Sequence, residues 1–182
     1  MVLIGFMGAG KSSVGRVLSE QLGWQFEDLD ERIERREQRT VAEIFRDSGE
    51  SEFRRAEHAA LRELLLELHA GAERVVALGG GAFAQKRNAS LIEAGGVLTV
   101  FLDAAVEDLW LRCRQQADQQ GMERPLLGSR EHFSELYAAR RIHYLQAAFR
   151  QDTSGKAVER IAAELIQALG LNRSRRKQGE QQ

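Results

Sequence analysis

Residues 5–13 read GFMGAGKSS and follow directly on the apolar run MVLI. Three glycines, a lysine and two serines set between an apolar run and a helical pattern narrow the fold more than any other stretch of this chain. Glycines let the backbone curl until several N–H groups point at one centre, and such a nest binds anions. Behind the loop, Val14, Val17 and Leu18 fall on one face of a helix. Strand, glycine loop and helix form the first half of a βα unit. The plainer reading is a flexible turn, and the rest of the sequence has to choose between the two.

The same alternation continues to the end of the chain. WQFED, RVVALGGG, GVLTVFLD and AFRQDT read as four further strands separated by longer helical patterns, the last helix carrying Val158, Ile161, Leu165 and Leu169. Five strands alternating with helices predict an α/β fold with a central, mostly parallel five-stranded sheet covered on both faces. Two segments break the rhythm. Residues 30–69 read as helical throughout, too long for one crossover, and suggest a small helical lobe. Residues 114–130, RQQADQQGMERPLLGSR, are polar, hold the only proline (Pro125), and read as a loop between helices fit to serve as a mobile lid. We expect one domain over residues 1–170. The polar end, NRSRRKQGEQQ (residues 172–182), reads with Leu171 as a flexible tail over 171–182.

Composition bounds the function. A net charge of −1 provides no global field for nucleic acid or an anionic membrane, so an anion site has to be built locally. Cys113 is the only cysteine, and the four histidines lack metal-ligand spacing. No apolar run approaches a membrane span, and the chain enters VLIGF without a basic leader, which sets a cytoplasmic expectation.

Gly5-x-x-x-x-Gly10-Lys11-Ser12 matches the complete P-loop pattern. Backbone N–H groups over Gly8, Ala9, Gly10, Lys11, Ser12 and Ser13 would cradle phosphate, with the positive end of the following helix behind them. In this pattern the lysine reaches the β and γ phosphates and the serine hydroxyl ligates Mg²⁺. The implied ligand is a nucleoside triphosphate.

What receives the phosphoryl group is less direct. Asp28 and Asp30 in FEDLDERIE close the second strand, and carboxyl ends of parallel strands line the ligand crevice. If the strand persists, both carboxylates point the same way, one toward Mg²⁺ through water and one toward an acceptor hydroxyl. Helix-start chemistry at Asp30 and Glu31 explains the residues equally well. Arg54 and Glu57, three apart, form either a surface bridge or a guanidinium held ready for a substrate carboxylate. Gly79, Gly80 and Gly81 permit close backbone approach by a ligand. Arg124, inside the expected lid, suits a transferring phosphoryl group; Arg140, beside Arg141, suits either an anion or a charged helix face.

In order and spacing, LIGFMGAGKSSVGRVLSEQLGWQFEDLD, IFRDSGESEFRRAE, LGGGA, ERPLL and RRIHY resemble the shikimate kinase family from Val2 to about Leu169. The resemblance implies the P-loop kinase fold, with residues 30–69 as the substrate-binding region, and ATP-dependent phosphorylation of the shikimate 3-hydroxyl in chorismate biosynthesis. It implies Asp30 as base or orienter, Arg54 and Arg140 as a clamp on the shikimate carboxylate, and Gly80 and Gly81 as backbone contacts. Phe45 and Phe53 would line the apolar wall, and Glu57 would hold Arg54. Lys11 and Arg124 would stabilise the transferring phosphoryl, Ser12 and, through water, Asp28 would hold Mg²⁺, and Arg112 with the loop from Asp152 would flank adenine. The implied enzyme is a cytoplasmic monomer.

Three departures stand out. Gln38 occupies a place where the family often has glycine, Ile142 replaces a proline two residues after Arg140, and the first strand has only Met1–Ile4 ahead of the loop. Two other readings compete: a kinase of the same fold for gluconate or a nucleoside monophosphate, and a non-catalytic binding module. Retention of Lys11, Asp30 and Arg124 argues against the module.

Overall fold

In the computed structural model, β1 (Val2–Ile4) lies at the centre of a five-stranded sheet, fully enclosed by its neighbours. The structure describes residues 1–120 and 129–171. The strand order is β2-β3-β1-β4-β5, with β2 at Gln25–Asp28, β3 at Arg74–Ala77, β4 at Thr99–Asp103 and β5 at Phe149–Asp152. Every pairing is parallel: Val2 stands opposite Val76 on one side and Thr99 on the other. A strand buried on both faces needs a continuous apolar run rather than alternation. Three residues, VLI, suffice for β1.

The helices are α1 (Lys11–Leu22), α2 (Leu29–Glu37), α3 (Val41–His69), α4 (Lys86–Ala94), α5 (Val106–Gln120), α6 (Arg130–Tyr144) and α7 (Val158–Ala168). α1 buries Val14, Leu18 and Leu22, spaced four apart, and packs against α7. From β1 the chain crosses to the β2 edge, whereas from β3 it crosses to β4 on the other side. The connections therefore diverge at the carboxyl ends of the central strands, the point where open parallel sheets bind ligands. The glycine loop sits there. Phe6, inside the loop and fully buried, meets Phe133 and Tyr137 edge-on at 5.0 and 5.5 Å, which ties the loop to α6.

The stretch over residues 30–69, read as helical throughout, is interrupted twice. Gln38 ends α2 in the left-handed region (φ 54°), and Thr40 starts α3 with a capping box: its side chain accepts from the Glu43 N–H while Glu43 accepts from the Thr40 N–H. Gly49, at φ 77° and ψ 175°, then kinks α3. The expected loop over 114–130 also starts later than its composition suggested. α5 runs to Gln120, because Gln, Arg and Ala are good helix formers and the first breaker is Gly121. Residues 121–128, including Arg124 of the expected lid, and the tail from Asn172 lie outside the described residues.

Candidate active site

The P-loop joins β1 to α1 as its pattern requires. Gly8 adopts φ 79°, and a side chain there would meet the Leu109 carbonyl at 2.7 Å, so only glycine fits. Gly10 is the N-cap of α1 at φ 84° and has no side chain to cap the helix with. The amides of Lys11, Ser12 and Ser13 thus belong to an N-terminal turn that a phosphate can satisfy. Ala9 is buried beneath the loop. Lys11 Nζ donates to the carbonyls of Gly5 and Phe6, both at 3.0 Å. Withdrawal from solvent holds its ammonium below the ordinary lysine value, with Asp30 and Asp28 pulling it back up.

The second strand stops at Asp28, two residues short of carrying both aspartates in extended geometry. Asp28 is the N-cap of α2: its Oδ1 accepts from the Asp30 N–H at 3.0 Å, and its Oδ2 accepts from Ser12 Oγ at 2.8 Å. The helix cap is thus Asp28 and not Asp30, which lies with Glu31 in the first turn of α2 and keeps its side chain out of the capping role. Asp30 Oδ1 is shielded from solvent and has no hydrogen-bond partner among the described residues. Burial pushes the Asp30 carboxyl up to about 6, helped by the negative charges of Asp28 and Glu57 and opposed by Lys11.

The glycine triplet after β3 explains how these groups gather. A Cβ on Gly79 would lie 2.8 Å from Asp30 Oδ1, and one on Gly81 would lie 2.9 Å from Arg54 Nη2. Two of the three glycines thus make room for protein side chains. At Gly80 the nearest neighbour of such a Cβ would be Arg140 Nη1 at 3.6 Å. Asp30, Arg54 and Arg140 therefore stand over three successive residues of one loop.

Arg54 is anchored from two directions. Its Nη1 donates to both oxygens of buried Glu57, at 3.0 and 3.1 Å, and its Nε and Nη2 donate to Glu50 Oε1 at 3.2 and 3.0 Å. Burial raises the Glu57 carboxyl, opposed chiefly by the charge of Arg54. Phe53 is buried beside Arg54, and Phe45, 39% exposed, tilts against it at 4.6 Å between ring centres. Arg140 lies over the Phe6 ring at 5.8 Å, and Tyr144, one turn further on, donates its hydroxyl to the Gly80 carbonyl. Arg112 stands on the far side of the P-loop, with Nη2 donating to the Thr153 carbonyl at 2.9 Å and Nη1 3.5 Å from the Gly8 carbonyl.

This arrangement joins a triphosphate cradle, a buried carboxylate and two arginines suited to an anionic acceptor. A family model described as shikimate kinase matches residues 7–170. The chain belongs to the shikimate kinase family. It is 37% identical over 166 residues to a shikimate kinase from Persephonella marina, spanning 90% of this chain and 94% of that one. It is 40% identical over 168 residues to one from Geobacter metallireducens, spanning 91% and 88%. Among solved structures, shikimate kinase from Acinetobacter baumannii in complex with shikimate superposes with a TM-score of 0.81 at 32% identity, over 92% of this chain and 90% of that one. A gluconokinase from Sinorhizobium meliloti reaches 0.58 at 21% identity over 93% and 90%, and shares the fold alone.

In this family kinase, sequence reasoning missed the neighbours that hold the named residues. Tyr144 lies four residues after Arg140, and helical spacing would have put it on the same face. Glu50 is likewise four before Arg54. Asn88, which bonds Glu57, carried no signal, because α4 meets α3 only in the folded molecule. No described helix is long and apolar enough to cross a membrane.

Proposed function

We propose that the chain transfers the γ-phosphoryl group of ATP to the 3-hydroxyl of shikimate, giving shikimate 3-phosphate and ADP, with the residues named above in distinct roles. The observation that carries the reading is the solvent-shielded Oδ1 of Asp30, without a hydrogen-bond partner among the described residues and set over the same glycine loop as Arg54 and Arg140. A carboxylate oxygen in that position accepts a hydrogen bond from the acceptor hydroxyl and takes its proton as the oxygen attacks the γ-phosphorus. The bond from phosphorus to the β-phosphate oxygen breaks, and ADP leaves. The remaining work is positioning and charge neutralisation. Lys11 swings from the Gly5 and Phe6 carbonyls to the transferring group, and the first-turn amides of α1 hold the β-phosphate. Arg124, outside the described residues, joins them on the phosphoryl.

Arg54 and Arg140 take the shikimate carboxylate, with Gly80 and Gly81 supplying backbone contact and Phe45 and Phe53 the apolar wall. Arg112 and the loop from Asp152 face the adenine. The donor set also fits Mg²⁺, which takes one or two protein oxygens and fills its shell with water and phosphate oxygens. Ser12 Oγ and Asp28 Oδ2, 2.8 Å apart at the mouth of the loop, are oxygen donors of that kind. Ser12 would hold the ion and Asp28 its water shell; when bound, Mg²⁺ neutralises charge on the β and γ phosphates. The reading takes the enzyme as a monomer acting in the cytoplasm, as the family resemblance implies.

ADP release from ATP and Mg²⁺, measured with shikimate and with gluconate as acceptor, tests the assignment. Turnover is expected on shikimate alone, reduced about 10²- to 10⁴-fold in Asp30→Asn. Folded, ATP-binding protein that releases no ADP with shikimate would overturn it.

A further inference from the structure

Behind Arg54 runs a hydrogen-bonded chain that crosses from α3 to α4 and returns to a histidine. Glu57, 1% exposed, takes Arg54 on both oxygens and a further bond on Oε2 from Asn88 Nδ2 at 3.3 Å. Asn88 is 2% exposed and sits in α4. Its Nδ2 also donates to the Ala82 carbonyl at 3.1 Å, one residue past the glycine triplet. With both amide hydrogens directed at oxygens, the orientation of the amide is settled, and Oδ1 must face His58 Nδ1 at 2.8 Å. An amide oxygen can only accept, so His58 carries a proton on Nδ1.

Asn88 therefore grips two things at once. One is the carboxylate that aims Arg54; the other is the loop over which Arg54 lies, where a Cβ on Gly81 would come within 2.9 Å of the guanidinium. We propose that Asn88, oriented by His58, is a positioning residue for acceptor recognition: it fixes the Glu57 carboxylate against Arg54 and locks both to the glycine loop. The proposal rests on the reading that Arg54 binds the acceptor carboxylate. Neither residue touches the P-loop or Asp30 in any hydrogen bond of the described residues, so its effect falls on the acceptor and spares the nucleotide.

Steady-state kinetics of the full chain with shikimate and Mg²⁺–ATP provide the test. In Asn88→Ala, the KM for shikimate should rise about tenfold while kcat and the KM for ATP stay within about twofold. In a Glu57→Gln background, Asn88→Ala should add less than about twofold, since its route of action is gone. A folded Asn88→Ala enzyme with unchanged shikimate KM, or with losses spread equally over kcat and ATP, overturns the proposal. If Asn88→Ala does not fold, His58→Ala decides on the same readout. A rise of about threefold in shikimate KM, restored by His58→Asn, whose amide presents a donor in place of Nδ1, supports the positioning role; no change overturns it. Arg54→Ala separates this from the parent reading. An unchanged shikimate KM there sinks the carboxylate assignment itself, whereas a raised KM there with an unchanged KM in Asn88→Ala sinks the positioning role alone.

Discussion

Asp30 keeps one carboxylate oxygen away from water, and its ionisation carries a cost to the folded chain. Its pKa rises from an ordinary 3.8 to about 6 on folding, so between those pH values the folded state holds a proton that the unfolded chain has released. This group's contribution to stability is therefore most favourable near pH 4 and falls as pH rises to 6. Above that the cost levels off at about 3 kcal/mol. Asp30→Asn should be more stable than the parent at pH 7.5, by about 1–3 kcal/mol in urea unfolding, with the gap closing toward pH 4.5. A less stable variant at pH 7.5 would contradict the burial cost. Activity runs the other way: if Asp30 is the base, as proposed, kcat/KM for shikimate should fall as pH drops through about 6, where its carboxylate takes up a proton.

Gly79 and Gly81 give a second contrast at this scale. An added methyl displaces Asp30 in one case and Arg54 in the other. Gly79→Ala should lower kcat about tenfold or more with little change in shikimate KM, and Gly81→Ala should raise shikimate KM by a similar factor. Both collisions meet the far ends of side chains and no backbone, so melting temperatures should change little. Equal effects of the two variants on both parameters would refute the division of labour.

At the scale of elements, the junction of α2 and α3 shows a helix end that is functional in shape and imperfect in chemistry. Gln38 occupies the left-handed conformation in which a side chain is strained, and it gains one offsetting bond, from its amide to the Arg35 carbonyl at 2.6 Å. The family often places glycine there. Gln38→Gly should stabilise the chain by about 0.5–1 kcal/mol and raise the melting temperature by about 2 °C in calorimetry; a lower melting temperature would show that the amide bond outweighs the strain. The same stretch shows what sequence reading can miss. Residues 30–69 read as one helical block because hydrophobic spacing continues through the breaks, yet TVAE, residues 40–43, is a capping-box signature that marked the second start. The kink at Gly49 had a weaker signal, since a lone glycine within a helical pattern is tolerated more often than it bends the chain. The helix-start alternative at Asp30 and Glu31 illustrates the limit from the other side. Both readings were physically sound, and only the point where β2 ended, at Asp28, separated them.

Across the whole molecule, one carboxylate at the end of β4 joins the sheet to the helix that carries Arg140. Asp103, buried, accepts from Tyr137 at 2.9 Å and Arg141 at 2.8 Å on α6, and pairs with Arg150 of β5 at 2.7 Å. Tyr144 holds the other end of α6 to the Gly80 carbonyl. Arg140 is thus aimed by a helix pinned at two points, and Ile142, in place of the family's proline, lies exposed between them. The two arginines keep partial access to water, so losing their shared partner costs less than a fully buried pair would. Asp103→Ala should destabilise by about 2 kcal/mol, lowering the melting temperature by about 4–8 °C. An unchanged melting temperature would show that packing alone holds α6.

The sequence by itself determined the five strands, the parallel sheet and the phosphate-binding loop, because each is written in local spacing, while the acceptor-site residues were named only through the resemblance of ordered motifs to a family. Glycines must be where the loop curls, and apolar runs must be where a strand is enclosed. Which carboxylate caps a helix and which is free, why two of three glycines are there for Asp30 and Arg54, and how Asn88 reaches Glu57 from another helix were decided only by tertiary structure. Those are distances between residues tens of positions apart. They exist only once α2, α3 and α4 close on the glycine loop, and no local pattern encodes the angle at which they meet.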